Sequence, residues 1–441
     1  MRKNRFLFLT GIAMCLINSI SLAQTTCTVV GWASQNGGVT GGGSATPTVV
    51  TTYTDLKTAI TSSSVKVVHI SGTITIPSGG RISFQDQSGK TIYGLPGSRL
   101  VSNDLTKDKS GIIYVKRCSN IIIRNLTLEG PGAYDTDGWD NMTLDASTNI
   151  WIDHCEFQDG MDGNLDIKNA SDYVSVTWCK FIYNKAPIPG GPGGSDDHRF
   201  SNLFGSSDGA TGDRGHLRVT MQHCWWAQGC KARMPRVRFG KVHVVNNVFN
   251  STVAAQCVMA GFEADLLVES NVFENVTKPI DLMDNTFTAI TSRSNIFTNT
   301  TGNTAGSGTA FTPPYSLTID SAANVKSLVI QSAGATLTSP TCDTTSGAKQ
   351  AVTTTETITG IYPNPTHGLS TISLSLQSNE EVVLKVFDVQ GRLVNTMNRI
   401  RSATAGTQQV SLNLKNSKPG LYNIVVTSNK GKKQTYRLLL K

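Results

Sequence analysis

No two of the nine cysteines form a CxxC pair, so a zinc site built on such pairs is not expected. Aromatic residues make up only 7% of the chain, and no basic stripe interleaves with them, which disfavours nucleic-acid binding. Past the first two dozen residues, no apolar run is long enough to cross a membrane. The net charge of +8 is also a poor guide to the middle of the chain. Residues 1–23 hold 3 basic side chains, and residues 357–441 hold 11 basic and 3 acidic ones. Residues 24–356 are left with 25 basic and 28 acidic, a net of −3. Any attraction of an acidic ligand there has to be local, not a field of the whole domain.

What is present begins with a secretory signal over 1–23: Arg2, Lys3 and Arg5, an apolar run from Phe6 to Ile20, and small residues ending at Ala23. Eight cysteines remain after export to a compartment that permits disulfides, and their pairing cannot be read from spacing.

The middle of the chain repeats. Asn149-Ile-Trp-Ile-Asp-His-Cys-Glu-Phe157 is echoed by Tyr173–Phe181, Leu217–Trp226, Lys241–Phe249, Asp265–Phe273 and Ala289–Phe297. One column reads Cys155, Cys179, Cys224, Asn247, Asn271 and Asn295, with Asn125 as an expected earlier member. Two residues on, an aromatic column reads Phe157, Phe181, Trp226, Phe249, Phe273 and Phe297. Period-two apolar pairs such as Ile150/Ile152 and Val242/Val244 precede each corner and mark strands. Strand, corner, strand at a period near 24 predicts an all-β parallel β-helix over 24–340, with both columns inside. The spacing of 45 between Cys179 and Cys224 predicts a polar, glycine-rich loop over 186–216 that projects from the helix and borders a cleft. Residues 341–356 read as a linker, and 357–441 as a small β-sandwich.

Two stretches carry candidate chemistry. In Asp162-Gly-Asn-Leu-Asp166, strand alternation puts Asp162, Asn164 and Asp166 on one face and Leu165 on the other. Asp140, about one coil earlier, can join them, and three carboxylates suit a calcium ion. Arg233-Met-Pro-Arg-Val-Arg238 gathers guanidiniums that match carboxylate ligands. Stacking of coils is expected to bring the two stretches onto neighbouring strands. Exposed aspartates or a solvated basic strand would leave the same trace.

Together these motifs resemble the pectate lyases of polysaccharide lyase family 1, which are right-handed parallel β-helices. The resemblance covers roughly residues 28–300. It rests on Ile150-Trp-Ile-Asp-His154, Asp162–Lys168, Lys185 and Arg233–Gly240. It implies Asp140, Asp162 and Asp166 as calcium ligands, Arg233 as the base, Lys185 on a substrate carboxylate and Arg238 on substrate charge. The family often has another acidic residue two before Asp140; Gly138 stands there, with Asp135 and Asp137 nearby. The implied reaction is β-elimination in polygalacturonate by a secreted monomer. Pectin lyase action on methyl-esterified substrate, a hydrolase using Asp196-Asp197, and a silent polysaccharide-binding helix remain as rivals.

The tail resembles the C-terminal sorting domain of the type IX secretion system. Ile361–Gly368, Lys385–Arg392 and Pro419–Tyr422 carry that likeness, which implies passage across the outer membrane and release or surface attachment. A carbohydrate-binding sandwich is the alternative, though no row of tryptophans is present.

Overall fold

Each predicted strand–corner–strand unit becomes one coil of a stack. The computed structural model describes residues 28–106, 109–136, 138–340, 358–376, 380–388, 392–402, 406–429 and 433–441. The chain divides into two compact units, 1–348 and 349–441. The signal over 1–23 and the linker over 341–356 lie outside the described residues.

The first unit contains three parallel sheets of ten, eight and nine strands, with successive coils adding one strand to each. This is the expected parallel β-helix. Ile150, Ile152, Val174, Val176, Val242 and Val244 are all fully buried, as the alternation requires. The aromatic column stacks ring on ring: Phe157, Phe181, Trp226, Phe249, Phe273 and Phe297 follow at centroid separations of 4.4 to 5.4 Å. The Asn column forms a ladder of amides. Asn271 Oδ1 accepts from the backbone N–H and Nδ2 of Asn247, and Asn295 Oδ1 does the same for Asn271. Cys155, Cys179 and Cys224 continue the column, and all six described cysteines are buried free thiols.

Asn125 belongs elsewhere. The register pairs Arg124 with Asp153, so Asn125 aligns with His154 and Leu126 occupies the ladder position. Asn125 instead begins a corner column of non-glycine residues in the left-handed region: Asn125, His154, Trp178, His223, Asn246, Ser270 and Ser294, with φ from 48 to 56°. Asn tolerates that conformation because its side chain can bond locally. Asn125 Nδ2 donates to the carbonyl of Gly94 at 2.8 Å. A one-residue frame error is easy in sequence, since Asn suits both columns.

The loop expectation also changes. Residues 186–216 are not one projection, because Asn202–Phe204 forms a strand of the eight-stranded sheet. It pairs with Leu165–Ile167 on one side, and its Leu203 and Phe204 pair with Arg236 and Val237 on the other. Phe204 is fully buried, and Asn202 Oδ1 accepts from Trp226 Nε1 at 2.8 Å. The 45-residue coil is thus complete, with two insertions flanking that strand.

The helix Tyr53–Thr61 closes the N-terminal end of the stack, where a solenoid would otherwise expose its core. Leu56, Ala59 and Ile60 enter that core. Lys90 Nζ binds the carbonyls of Ala59, Ile60 and Ser62 at 2.7 to 3.0 Å, satisfying the helix's last acceptors.

The second unit is the expected β-sandwich. An antiparallel three-stranded sheet and a four-stranded one share a core of Ile372, Leu374, Leu412, Leu384, Val386, Ile424 and Val426.

Candidate active site

The eight-stranded sheet positions the chemistry. Strands Met142–Asp145, Leu165–Lys168, Asn202–Phe204 and Arg236–Val237 lie side by side in that order. Leu165 and Ile167 face the core, so Asp166 faces out, in one cross-strand row with Thr143, Leu203 and Arg236.

Asp162 and Asn164 do not share that face as the alternation suggested. The strand starts only at Leu165, and Asn164 turns inward. Its Oδ1 accepts from Asn141 Nδ2 at 3.0 Å and from the backbone of Gly160 at 3.2 Å, so it ties the corner together. Asp162 sits in the bend before the strand.

Asp140 and Asp166 nevertheless come together around Gly163, and Asp162 lies near enough to act on both by charge, while its oxygen groups within 4.8 Å with Asp135 and His198 and not with those two. Asp140 is 4% exposed and Asp166 8%. Burial first, then the charges of Asp166 and Asp162, push the Asp140 carboxyl well above its usual range. Burial pushes Asp166 up to about 6, with Asp162 adding to it against Lys168 and Arg233. Among the described residues neither Asp140 nor Asp166 has a cationic side chain at ion-pair distance. Asp140 Oδ2 accepts from Thr143 Oγ1 at 2.9 Å and Asp166 Oδ1 from the Leu203 N–H at 3.1 Å. These single bonds leave oxygen lone pairs spare. Gly163 keeps the space between them open: a Cβ there would lie 2.7 Å from Asp140 Oδ1 and 3.5 Å from Asp166 Oδ1. A buried, unneutralised set of oxygens around a gap fits a hard dication.

The arginines lie farther off than the repeat count suggested. Their strand is next but one to that of Asp166, with Asn202–Phe204 between. The expectation of neighbouring strands fails because the 45-residue gap contains a whole coil. At roughly 4.8 Å per strand, Asp166 and Arg236 stand about 10 Å apart, room for a sugar ring above Leu203.

Arg233 holds a left-handed backbone (φ 56°), a costly conformation for a non-glycine residue. Its guanidinium lies over the Phe200 ring, 4.7 Å from the centroid, and is close enough to Asp166 to favour that carboxylate's charge. Arg238 is less free than expected. Its Nε donates to Asp208 Oδ1 at 2.6 Å and its Nη1 to the Gly205 carbonyl at 2.9 Å, which leaves Nη2 without a partner among the described residues. Lys185 is half-buried and donates to the Gly130 carbonyl at 2.7 Å, with Glu129 3.4 Å away. Gly130 abuts Asn141, the neighbour of Asp140, but no bond links Lys185 to the other five residues.

Arg236 was not singled out in the sequence. It faces out beside Leu203, and its Nε is buried without a hydrogen-bond partner among the described residues. Burial, then Arg238 and Arg233, push its guanidinium down to about 10. The alternating burial of Arg236 and Val237 was the available signal. Asp197, the hydrolase candidate, is occupied: burial works against its ionisation, yet Arg199 and Lys231 hold it below the usual range.

A family model described as pectate lyase matches residues 6–339, and one described as a secretion system C-terminal sorting domain matches 360–441. Pectate lyase E of Dickeya chrysanthemi is 32% identical over 301 residues, covering 59% of this chain and 74% of the relative. Probable pectate lyase A of Neosartorya fischeri is 32% identical over 351 residues, covering 75% and 99%. A Bacillus subtilis pectate lyase mutant superposes with a TM-score of 0.58 at 23% identity, over 71% of this chain and 98% of its own. A pectate lyase from Bacillus sp. N165, solved with trigalacturonate, gives 0.56 at 25% identity, over 70% and 98%. The stacked coils, the outward carboxylates and the family match across three quarters of the sequence converge: this chain belongs to the pectate lyase family of polysaccharide lyases.

Proposed function

We propose that the protein is a secreted, calcium-dependent lyase that cleaves α-1,4-linked polygalacturonate by β-elimination, releasing 4,5-unsaturated oligogalacturonides. One observation carries the reading. Asp140 and Asp166 are buried, raised in pKa and without a cationic side chain at ion-pair distance among the described residues, and Asp166 stands about 10 Å along the sheet from Arg236 in the arginine stretch.

Asp140, Asp162 and Asp166 would hold the calcium, with the gap over Gly163 as its seat. Calcium, when bound, would neutralise a galacturonate carboxylate and stabilise the charge that develops beside it at C5. The chain's own residues then divide the remaining work. Arg236 and Lys185 are cations on the outer surface that can draw further uronate carboxylates into line. Arg238 braces the 205–208 segment through Asp208 and offers Nη2 to the substrate. Arg233, in its neutral form, would take the proton from C5. The C–H electron pair becomes the C4–C5 double bond, the bond from C4 to the glycosidic oxygen breaks, and that oxygen takes a proton from solvent.

A guanidine base is unusual, because the group is normally charged. The base role of Arg233 rests on the family motif at Arg233–Gly240. The sorting domain supports export through the type IX system, with release or surface attachment to follow.

The test is polygalacturonate mixed with the protein while ultraviolet absorbance of the new double bond is followed, with and without chelator. Silence on both pectate and methylated pectin sinks the lyase reading for this chain. A preference for methylated pectin turns it into a pectin lyase, and activity that survives chelation removes calcium.

A further inference from the structure

Beside the proposed calcium cluster, Asp135, Asp162 and His198 bring one carboxylate oxygen or ring nitrogen each to within 4.8 Å of one another. His198 comes from the insertion after Lys185 and is 6% exposed. Its Nδ1 is 3.1 Å from Asp135 Oδ1 and its Nε2 is 3.2 Å from Asp162 Oδ1. Neither contact has hydrogen-bond alignment, so both ring nitrogens are buried without a hydrogen-bond partner among the described residues. A buried imidazole left that way costs free energy. One ring nitrogen of His198 and one oxygen from each aspartate lie close enough together to face a single ion.

The site is built, not incidental. Asp135 is clamped by the glycine-rich segment. The Ser195 N–H donates to Asp135 Oδ2 at 2.7 Å, and the Gly193 N–H to the Asp135 carbonyl at 2.8 Å. A Cβ at Gly193 would fall 2.0 Å from Asp135 Oδ1, and one at Gly191 2.3 Å from its carbonyl oxygen. Only glycine allows this approach, so the segment that delivers His198 also fixes its carboxylate neighbour. On its other side the His198 ring packs on Phe200 at 4.2 Å, and Phe200 carries Arg233.

We propose that Asp135, Asp162 and His198 form a second cation site that takes a first-row transition dication of the zinc or manganese class and shares Asp162 with the calcium cluster. One imidazole and two carboxylates suit such a metal, whereas calcium takes oxygen almost alone. The ion would lock the 186–201 insertion to the helix and fix Phe200 beneath Arg233. The reading depends on the calcium assignment only through the shared Asp162.

Titration of the full chain with Co²⁺ in saturating calcium, read by the visible bands of the ion and by calorimetry, tests it. One Co²⁺ should bind, and zinc should displace it. His198→Ala and Asp135→Asn should each weaken Co²⁺ at least about tenfold, with an unchanged far-ultraviolet spectrum showing that the fold persists. Asp140→Asn, which lies outside this site, should retain the Co²⁺ bands. No stoichiometric Co²⁺ binding, binding indifferent to both His198 and Asp135, or full competition by calcium would each overturn the proposal. Failure of the calcium reading shows elsewhere, as lyase activity that survives chelation.

Discussion

Asp166 and Arg236 occupy one outward row of the eight-stranded sheet, with Leu203 alone between them. The spacing of this carboxylate and this guanidinium is therefore set by the backbone hydrogen bonds of the sheet. Arg236 has no carboxylate at ion-pair distance among the described residues, so its charge is available to a ligand. Arg236→Ala should raise KM on polygalacturonate about tenfold, in line with one charge-assisted hydrogen bond. An unchanged KM would remove Arg236 from the substrate path.

Arg233→Lys keeps a positive charge over Phe200 and loses the guanidine. If Arg233 takes the C5 proton, kcat should fall about a hundredfold or more while KM moves little. A change confined to KM would make Arg233 a binding residue.

Gly163→Ala puts a methyl group where the Asp140 and Asp166 oxygens face each other. The parallel helix should persist, with an unchanged far-ultraviolet spectrum. Calcium affinity should drop about tenfold or more, as calorimetry would show.

Removing metal should give stability a definite pH slope. Asp140 and Asp166 have folded-state values above the ordinary carboxylate range, with Asp166 at about 6. Folding then takes up protons between about pH 4 and 6. The contribution is full below about pH 4 and is lost as pH rises through about 6. In chelator, Tm should be lower at pH 7.5 than at pH 5 by at least about 2 °C. Added calcium should remove the difference, and so should Asp140→Asn with Asp166→Asn. Asp153 works in the opposite sense at lower pH. Burial opposes its ionisation, but His154, Arg124 and Thr177 outweigh that and hold it down to about 2. Its contribution is present above about pH 4 and lost as pH falls toward 2.

The amide ladder should be stiff and costly to break. Asn271→Leu removes the acceptor for Asn247 and the donor to the carbonyls of Val244 and Glu269. Buried groups left unpaired cost about 1–3 kcal/mol each, so chemical denaturation should show a loss of at least about 2 kcal/mol.

Much of this was legible from the repeat itself. The aromatic and Asn/Cys columns repeat at a period that only stacked coils satisfy, and their partners in space are the ones the spacing named. The outward placement of Asp166 was legible too, because it alternates with Leu165 and Ile167, whereas that of Asp162, in the bend before the strand, was not. Asn125 was misplaced by one residue because the corner and ladder columns both accept Asn. Asn202–Phe204 was hidden because three residues of strand inside a polar, glycine-rich stretch leave no periodicity to count. That one strand also accounts for the miscounted distance to the arginines. His198 and Asp135 were unreadable as a pair: 63 residues apart, they meet through glycine contacts that no spacing rule describes.

The 45-residue coil has an evolutionary reading as well. A parallel helix forbids small length changes inside its sheets, since one residue more or less would turn every later core side chain outward. Between Tyr183 and Asn202, and again between Phe204 and Val219, the chain leaves the sheets and rejoins them in register. At those two exits, length can vary while the carboxylates and arginines stay where the hydrogen-bonded rows put them. A lineage could therefore reshape what surrounds the scissile bond, or acquire a new metal, by editing only the excursions of a single coil.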